Sequence, residues 1–433
     1  MKHTSIKLRV YPTKEQLRTL PQWFGSCRFV FNHALAIRKE DYERWVALGK
    51  PKKHDWANFY TLNKELQVWR EEFLWLKQVP SQTLQQTLRH LDTAFNNWFK
   101  HGASYPRFKQ RSFAGSAHLT NQQIREHHLA IWNNKLEITL PKKLGVLKAK
   151  LHRPLPSGRL LKTVISRNAC KQYFVSLMYE VPNGYNLRQS KFNSISRCGI
   201  DLGVVQPLTV VYKKDGVTKS KVLGKDVKTR LERLEIKRKR YQRSYNRKLE
   251  SAKMRQSKVK PKSETGEVEL VSTKNLEKAR LKVAKVWQKE KNVRKDFSEK
   301  TSNTLASKFE VIKFEDLKLS NMTKQVKDTE DGTNRKSVSA KSGLNREMLR
   351  LGLANVVSLT KYKASLYGNQ VQFVNPQHTS QRCSCCGYID KANRKTQSKF
   401  ECLECGFSMN ADTNAGLNIM TRKPLDKSQL QVV

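Results

Sequence analysis

Two cysteine pairs near the C-terminus have the spacing of a metal site. Cys383 and Cys386 form one C-x2-C pair and Cys402 and Cys405 form another, with fifteen residues between them. Four thiolates at this separation can close a tetrahedron around Zn2+, each pair making a knuckle, and Gly387 and Gly406 directly after the pairs allow the tight turns. Four sulfur ligands leave no open position, so a zinc held this way is structural. Cys385 is left over as an unligated thiol. A second chemistry is suggested by the stretch RCGIDLGVVQPLTVVY, Arg197 to Tyr212. It reads as a strand ending at an Asp-Leu-Gly turn and followed by a second apolar run. Asp201 at that turn can hold a metal for cutting nucleic acid, can face the phosphates of ATP as in an actin-like fold, or can simply end a strand.

Mg2+ takes hard oxygen ligands, and phosphodiester cleavage is commonly run by two such ions ~3.5–4 Å apart. The carboxylates that hold them must converge from distant elements. Three acidic residues stand in suitable settings. Asp201 ends the CGI strand, and Gly203 leaves room there for a phosphate or a second ion. Glu315 ends the strand FEVIKF with Asp316 beside it, and Asp412 lies in NADTNAGLNI, a small-residue segment opening a helix just past the cysteines. Each alone is a weak signal, because acidic residues at strand ends are mostly solvated turn residues. The ATP reading needs glycine or hydroxyl donors after the turn and further glycine-rich loops. Val204, Val205, Gln206 and Pro207 supply none, and no second such loop is visible.

The elements that must position these residues follow from pattern. The opening TSIKLRVYP alternates as a short strand, and Thr13 with Gln16 three residues later makes a capping box. Helical periodicity then runs to about Gly102. Its clearest stretch is SQTLQQTLRHLDTAFNNWFK, where Leu84, Leu88, Leu91, Phe95 and Trp98 form one apolar stripe. From about 117 to 182 the period is two. LAIWNNKLEITL predicts a hairpin at Asn133–Asn134, and KQYFVSLMYEV puts Tyr173, Val175, Leu177 and Tyr179 on one face. A small antiparallel β-domain or barrel is expected, with the first strand belonging to it and the helices inserted. Lys228 to Lys300 predicts a basic helical hairpin broken near Pro261 and Gly266. A strand KFEVIKFEDL, a helix near 345 to 366, a strand NQVQFVNP and a frayed tail follow.

Charge decides the class of partner. Of 433 residues, 84 are Lys or Arg against 37 Asp or Glu, a formal net charge of +47. A surface repelling itself this strongly calls for a polyanion, and nucleic acid is the usual one. The segment YPRFKQRSF interleaves Tyr105, Phe108 and Phe113 with Arg107, Lys109 and Arg111, cations for phosphates beside rings for bases. The bland alternative is a solvated loop with its rings tucked inward. No run of ~18 apolar residues predicts a membrane span. The scattered Cys27, Cys170 and Cys198 read as small core residues, so a reducing, intracellular compartment is expected.

GIDLGV, VIKFEDLKLSNM and TSQRCSCCGY…FECLECGFSMNADTNAGLNI, in this order, resemble the TnpB family of RNA-guided nucleases, relatives of the compact type V CRISPR effectors. KLRVYPTKEQ, CRFVFNHALAIR, LQQTLRHLDTAFNNWF, YPRFKQR, NVRKDFSEKTSN and SGLNREML extend the resemblance over nearly the whole chain. It implies an α/β multidomain protein with a RuvC-like nuclease domain of RNase H fold (196–376 and 409–433). A zinc-binding, target nucleic-acid-binding element (377–408) is inserted in that domain. A β-barrel wedge domain (1–13 and 115–195) is interrupted by a helical recognition domain (14–114). Asp201, Glu315 and Asp412 match the three magnesium-binding, catalytic carboxylates, and Cys383, Cys386, Cys402 and Cys405 the zinc ligands. The implied partners are a guide RNA and target double-stranded DNA read beside a short adjacent motif, in a monomeric ribonucleoprotein in the prokaryotic cytoplasm, nucleoid-associated when on DNA. The polar segments 251–273 and 322–343 depart from the compact family pattern.

Other classes fit less well. An RNA-guided DNA-binding repressor without cleavage usually lacks a carboxylate, and all three are present here. A zinc-ribbon RNA-binding protein leaves the acidic trio unexplained. A transposase of the DDE type also uses three carboxylates, but zinc ligands placed before the third favour the RuvC-like reading.

Overall fold

The computed structural model describes residues 2–51, 56–110, 114–182, 195–203, 205–257, 273–317, 342–343, 345–347 and 349–425. The chain divides into two compact units, Met1–Asn183 and Gly184–Val433.

In the first unit β1 (Lys2–Tyr11) is followed by three helices, α1 (Lys14–Ala47), α2 (Phe59–Glu72) and α3 (Ser81–His101). Six strands come next: β2 (Gly115–Thr120), β3 (Leu129–Trp132), β4 (Lys135–Thr139), β5 (Val146–Lys150), β6 (Arg159–Arg167) and β7 (Tyr173–Val181). β1 joins their antiparallel sheet, pairing with β7 from Lys2↔Val181 to Val10↔Tyr173 and with β5 at Val10↔Ala149. The helices are therefore inserted between one strand and the rest of its sheet. The order is β2-β6-β7-β1-β5-β4-β3. Among the described residues the end strands β2 and β3 do not pair with each other, so the sheet is open where a closed barrel was expected. Tyr173, Val175, Leu177 and Tyr179 are buried on one face as their alternation predicts. A period of two records one covered face, which an open sheet and a barrel share, so it could not distinguish them.

Local chemistry explains the boundaries. Thr13 and Gln16 form the reciprocal capping box at the start of α1. The Gln16 amide also donates to the Leu144 and Val146 carbonyls at 3.0 Å each, so the same residue pins the helix to the start of β5. In α3, Leu84, Leu88 and Leu91 are fully buried, and Gly102 closes the helix in the left-handed region at φ 63°. Asn133 and Asn134 take φ 44° and 57° between β3 and β4, the two-residue turn a tight hairpin needs.

The second unit is built on β8 (Ile195–Asp201), β9 (Leu208–Lys214), β10 (Val217–Leu223), β11 (Phe309–Glu315) and β12 (Gln370–Val374) in the order β10-β9-β8-β11-β12. The β8-β9-β10 meander is antiparallel, whereas β11 and β12 run parallel to β8. Helices α4 (Lys225–Ser257) and α5 (Lys274–Lys308) lead from β10 into β11, and α6 (Leu353–Tyr367) leads into β12. A short hairpin, β13 (Lys399–Glu401) and β14 (Ser408–Asn410), precedes α7 (Ala411–Thr421). One face of the sheet, with Cys198, Ile200, Ile312 and Phe314, packs on Val286, Val293, Phe297 and Leu305 of α5 and Val356 of α6. On the other face Val211 packs on Leu417 and Met420 of α7. The tip between α4 and α5, most of the polar segment 322–343 and the tail beyond 425 lie outside the described residues.

Candidate functional site

Asp201 is the last residue of β8 and Glu315 the last of β11. The two strands pair in parallel with Phe314 beside Ile200, so the carboxyls leave neighbouring strand ends on one face. That face is the one α7 covers. Gly199 lies on it, two residues before Asp201. A Cβ on Gly199 would stand 2.1 Å from the Gly416 carbonyl oxygen and 2.6 Å from the Met420 nitrogen, so strand and helix meet backbone to backbone. Gly416 in turn would place a Cβ 2.3 Å from Val211 Cγ2. Asp412 precedes Gly416 by one helical turn, a rise of ~6 Å, and Asp201 follows Gly199 by two strand residues, ~6.6 Å. The steps match when α7 runs antiparallel to β8, and the glycine contact then sets Asp412 over the end of β8. The structure thus gathers the three acidic residues from two strands and a helix.

Their environment is hostile to negative charge. Burial, followed by the charges of Glu315 and Asp412, pushes the Asp201 carboxyl up to about 7, against the pull of Arg394. Burial raises Glu315 as well, opposed by a hydrogen bond from the Thr379 hydroxyl and by Arg422. Asp412 is raised by burial and pulled back by Arg394 and Lys225. Thr379 is 4% exposed and donates to Glu315 Oε1, and Arg394 Nη2 lies 3.5 Å from Asp412 Oδ1. Thr209, the register partner of Asp201 on β9, is buried with a hydroxyl that has no partner among the described residues. Half-buried carboxylates with a spare hydroxyl are a donor set for a hard divalent cation, whose charge offsets their mutual repulsion. Among the described residues, the candidate ligands whose donor atoms all fall within 4.8 Å are the four thiols Cys383, Cys386, Cys402 and Cys405.

The thiols are set by two matching knuckles. The Gly387 N–H donates to the Cys383 carbonyl and the Gly406 N–H to the Cys402 carbonyl, with the glycines at φ 83° and 65°. Cys383 Sγ lies 3.7 Å from Cys405 Sγ, and Cys386 Sγ 3.6 Å from Cys402 Sγ. A tetrahedron with Zn–S bonds of ~2.3 Å has sulfurs ~3.8 Å apart, so the cage fits that ion. Cys385 stays outside the cluster and is exposed, its N–H donating to Cys383 Sγ.

Several contributors carried no sequence signal strong enough to single them out. Asn414 donates to the Arg382 carbonyl and Asn418 to the carbonyls of Thr379 and Arg382, while Asn414 Oδ1 accepts from the Ser384 N–H. One face of α7 thereby grips the chain entering the first knuckle. Lys313, 5% exposed, donates to the Arg422 carbonyl at 2.6 Å and so holds the other end of the helix with a positive charge. The spacing Asn414–Asn418 and the glycines inside CGID and NAGLN were the available hints. Gly203 is required by its own turn as well, since a Cβ there would stand 2.7 Å from the Gln206 carbonyl oxygen.

In the first unit the interleaved segment divides. The Tyr105 ring packs edge-on against Phe95 and Trp98 at 5.6 and 5.0 Å, which is the inward arrangement. Arg107 and Phe108 are exposed. The Lys109 backbone is clamped by Asn32, and its ammonium sits 3.6 Å from the Phe31 ring centroid. Arg111 and Phe113 lie outside the described residues.

Comparison with known proteins places this geometry in a family. Residues 176–326 match a model described as "Probable transposase" (OrfB of IS605), residues 354–419 one described as "Cas12f1-like, TNB domain", and residues 1–45 one described as "Helix-turn-helix domain". The last label does not describe the fold here, since that span is β1 and most of the single helix α1. InsQ of Escherichia coli (strain K12), named as an RNA-guided DNA endonuclease, is 30% identical over 422 residues, covering 96% of this chain and 91% of that protein. A Streptomyces pristinaespiralis protein named "Putative RNA-guided DNA endonuclease" is 28% identical over 421 residues, covering 96% of this chain and 88% of its own. The Cas12f1 chain of a cryo-EM complex with sgRNA and target DNA shares the fold, with a TM-score of 0.50 at 13% identity over 96% of this chain and 98% of that one. This chain belongs to the TnpB family, the OrfB proteins of the IS605 group.

Proposed function

We propose that the protein is an RNA-guided DNA endonuclease whose cutting site is Asp201, Glu315 and Asp412. The observation that carries this reading is the convergence of the three carboxyls on one sheet face, each raised by burial, with Asp201 held near 7. Among the described residues the trio's ion pair is the 3.5 Å contact between Arg394 and Asp412, which leaves Asp201 and Glu315 without a cationic partner at salt-bridge distance. The meander followed by two parallel strands, with acids at the ends of the first and fourth strands and on the last helix, supports a RuvC-like domain of RNase H type over 196–376 and 409–433. Family membership and the printed activity of its relatives support the same conclusion. The intact trio argues against a binding-only repressor.

In this reading Asp201, Glu315 and Asp412 hold Mg2+, which supplies an activated water and charge stabilisation at the scissile phosphate. Thr379 orients Glu315, and Arg394 restrains Asp412. Cys383, Cys386, Cys402 and Cys405 hold a structural Zn2+ in the element 377–408, a target nucleic-acid-binding element. Its folding keeps Thr379 and Arg394 in place. The helical block 14–114 serves as recognition domain, and the sheet of 1–13 and 115–195 as wedge. Tyr105, Arg107, Phe108, Lys109 and Arg111 form a nucleic-acid contact in which Arg107 and Phe108 reach outward and Tyr105 supports from within. No helix among the described residues is long and apolar enough to cross a membrane, and action on DNA in the prokaryotic cytoplasm is proposed, as a monomeric complex. Purifying the protein from its own locus and sequencing the bound RNA tests the guided mechanism. A discrete RNA whose end matches the cut target is expected, and the absence of any discrete RNA contradicts it.

A further inference from the structure

The first unit contains a cleft that its fold does not explain. It measures about 100 Å3 and is walled by Tyr42, Trp56, Phe95, Trp98 and Phe99, with Arg38 lining it as well. The walls are large aromatic faces, and three of them are exposed: Tyr42 is 37% exposed, Trp56 39% and Phe99 64%. Tyr42 and Trp56 lie with their planes only 25° apart, so both offer nearly the same orientation to a flat ligand. Arg38 is 8% exposed. Its Nη2 pairs with Asp92 at 2.6 Å and its guanidinium lies 4.8 Å from the Phe95 ring centroid, yet its Nε has no partner among the described residues. The Tyr105 hydroxyl, at the end of the ring packed on Phe95 and Trp98, is behind the cleft wall and has no partner among the described residues.

Exposed ring faces beside an unmatched donor in its lining leave this cleft incompletely filled. A ligand with a flat apolar face and polar edge atoms satisfies both at once. Nucleobases have that form, stacking on rings while a carbonyl or ring nitrogen accepts from a donor lining the cleft, such as Arg38 Nε. A phosphate alone would leave the rings bare, and an aliphatic side chain would leave the donors unmatched. We propose that this cleft receives a single unpaired nucleobase, drawn from the guide RNA or from a displaced DNA strand. The inference rests on the nucleic-acid role proposed above.

The test uses the full chain with two single-stranded oligonucleotides, one RNA and one DNA, each carrying one 2-aminopurine, a base whose fluorescence falls when it stacks. Phe99→Leu and Tyr42→Leu keep apolar bulk and remove the stacking faces, and Arg38→Lys keeps the charge beside Asp92 and removes Nε. Quenching by the unaltered protein is expected, with affinity lower by about tenfold in the leucine variants at unchanged melting temperature. Loss confined to the RNA arm assigns the base to the guide, and loss confined to the DNA arm assigns it to the displaced strand. Equal quenching and affinity in all variants, or no quenching in either arm, overturns the pocket. Guided cleavage assayed on the same preparations separates this outcome from failure of the nuclease reading, which would appear as uncut target with the unaltered protein.

Discussion

Substituting Gly199 by alanine tests how the acidic trio is assembled. The new Cβ would lie 2.1 Å from the Gly416 carbonyl oxygen, whereas ordinary contact begins at 3.4 Å, so β8 and α7 must part by about 1.3 Å. The obstacle is backbone on both sides, and no rotamer relieves it. Because Asp412 rides on α7 one turn from the contact, the displacement passes to its carboxylate relative to Asp201. A misplacement of ~1 Å in a reacting constellation costs roughly 100-fold, and overpacking costs about 1–3 kcal/mol of stability. Single-turnover cleavage of a guide-matched duplex by Gly199→Ala should fall by that order, with guide RNA and zinc still bound. Gly416→Ala meets a side chain instead, Val211, so adding Val211→Ala should restore part of its activity, although Val211 Cβ remains at 2.8 Å. Cleavage by Gly199→Ala within about threefold of the unaltered rate would refute the claim that this contact sets the trio.

Other substitutions probe the charge and its supports. The Asp201 carboxyl has a folded value of about 7 against an ordinary 3.8, so its contribution to stability is present below about pH 4 and lost as pH rises through 7. The metal-free protein should therefore lose stability over that range, by at most about 4 kcal/mol. Asp201→Asn should flatten that dependence and raise the melting temperature at pH 8 in chelator while abolishing cleavage, as thermal melts across pH would show. Thr379→Val removes the hydroxyl that orients Glu315 and should slow cleavage by about 10–100-fold without weakening guide binding, measured by filter retention of labelled RNA. Cys402→Ser should lower bound zinc, read by atomic absorption, and reduce cleavage with it, because Thr379 and Arg394 flank the thiol cage.

The parts legible in the sequence are those fixed by local geometry. The two C-x2-C pairs and their following glycines specify the knuckles within five residues each, and Thr13–Gln16 and Asn133–Asn134 specify a cap and a turn in the same way. The stripe of α3 and the alternation of β7 were readable because burial of one face imposes a period. Contacts between distant segments were not readable. Nothing in the one-dimensional pattern joins Thr379 to Glu315 or Gly199 to Gly416, because these meet only when β8, β11 and α7 stack. The same limit separates an open sheet from a barrel, and Tyr105 from Phe108. The acidic trio was marked by its setting and by family resemblance, and its raised carboxyls are a property of burial that sequence does not state.

The most direct measurement compares the unaltered complex with Asp201→Ala on a linear duplex carrying the guide-matched sequence, with Mg2+ supplied and binding and product followed together. The account predicts that the unaltered complex binds and cuts, while the variant binds the same RNA and DNA and yields no product. Cutting by Asp201→Ala at the unaltered rate would contradict it, as would an unaltered complex that binds the matched target and never cuts.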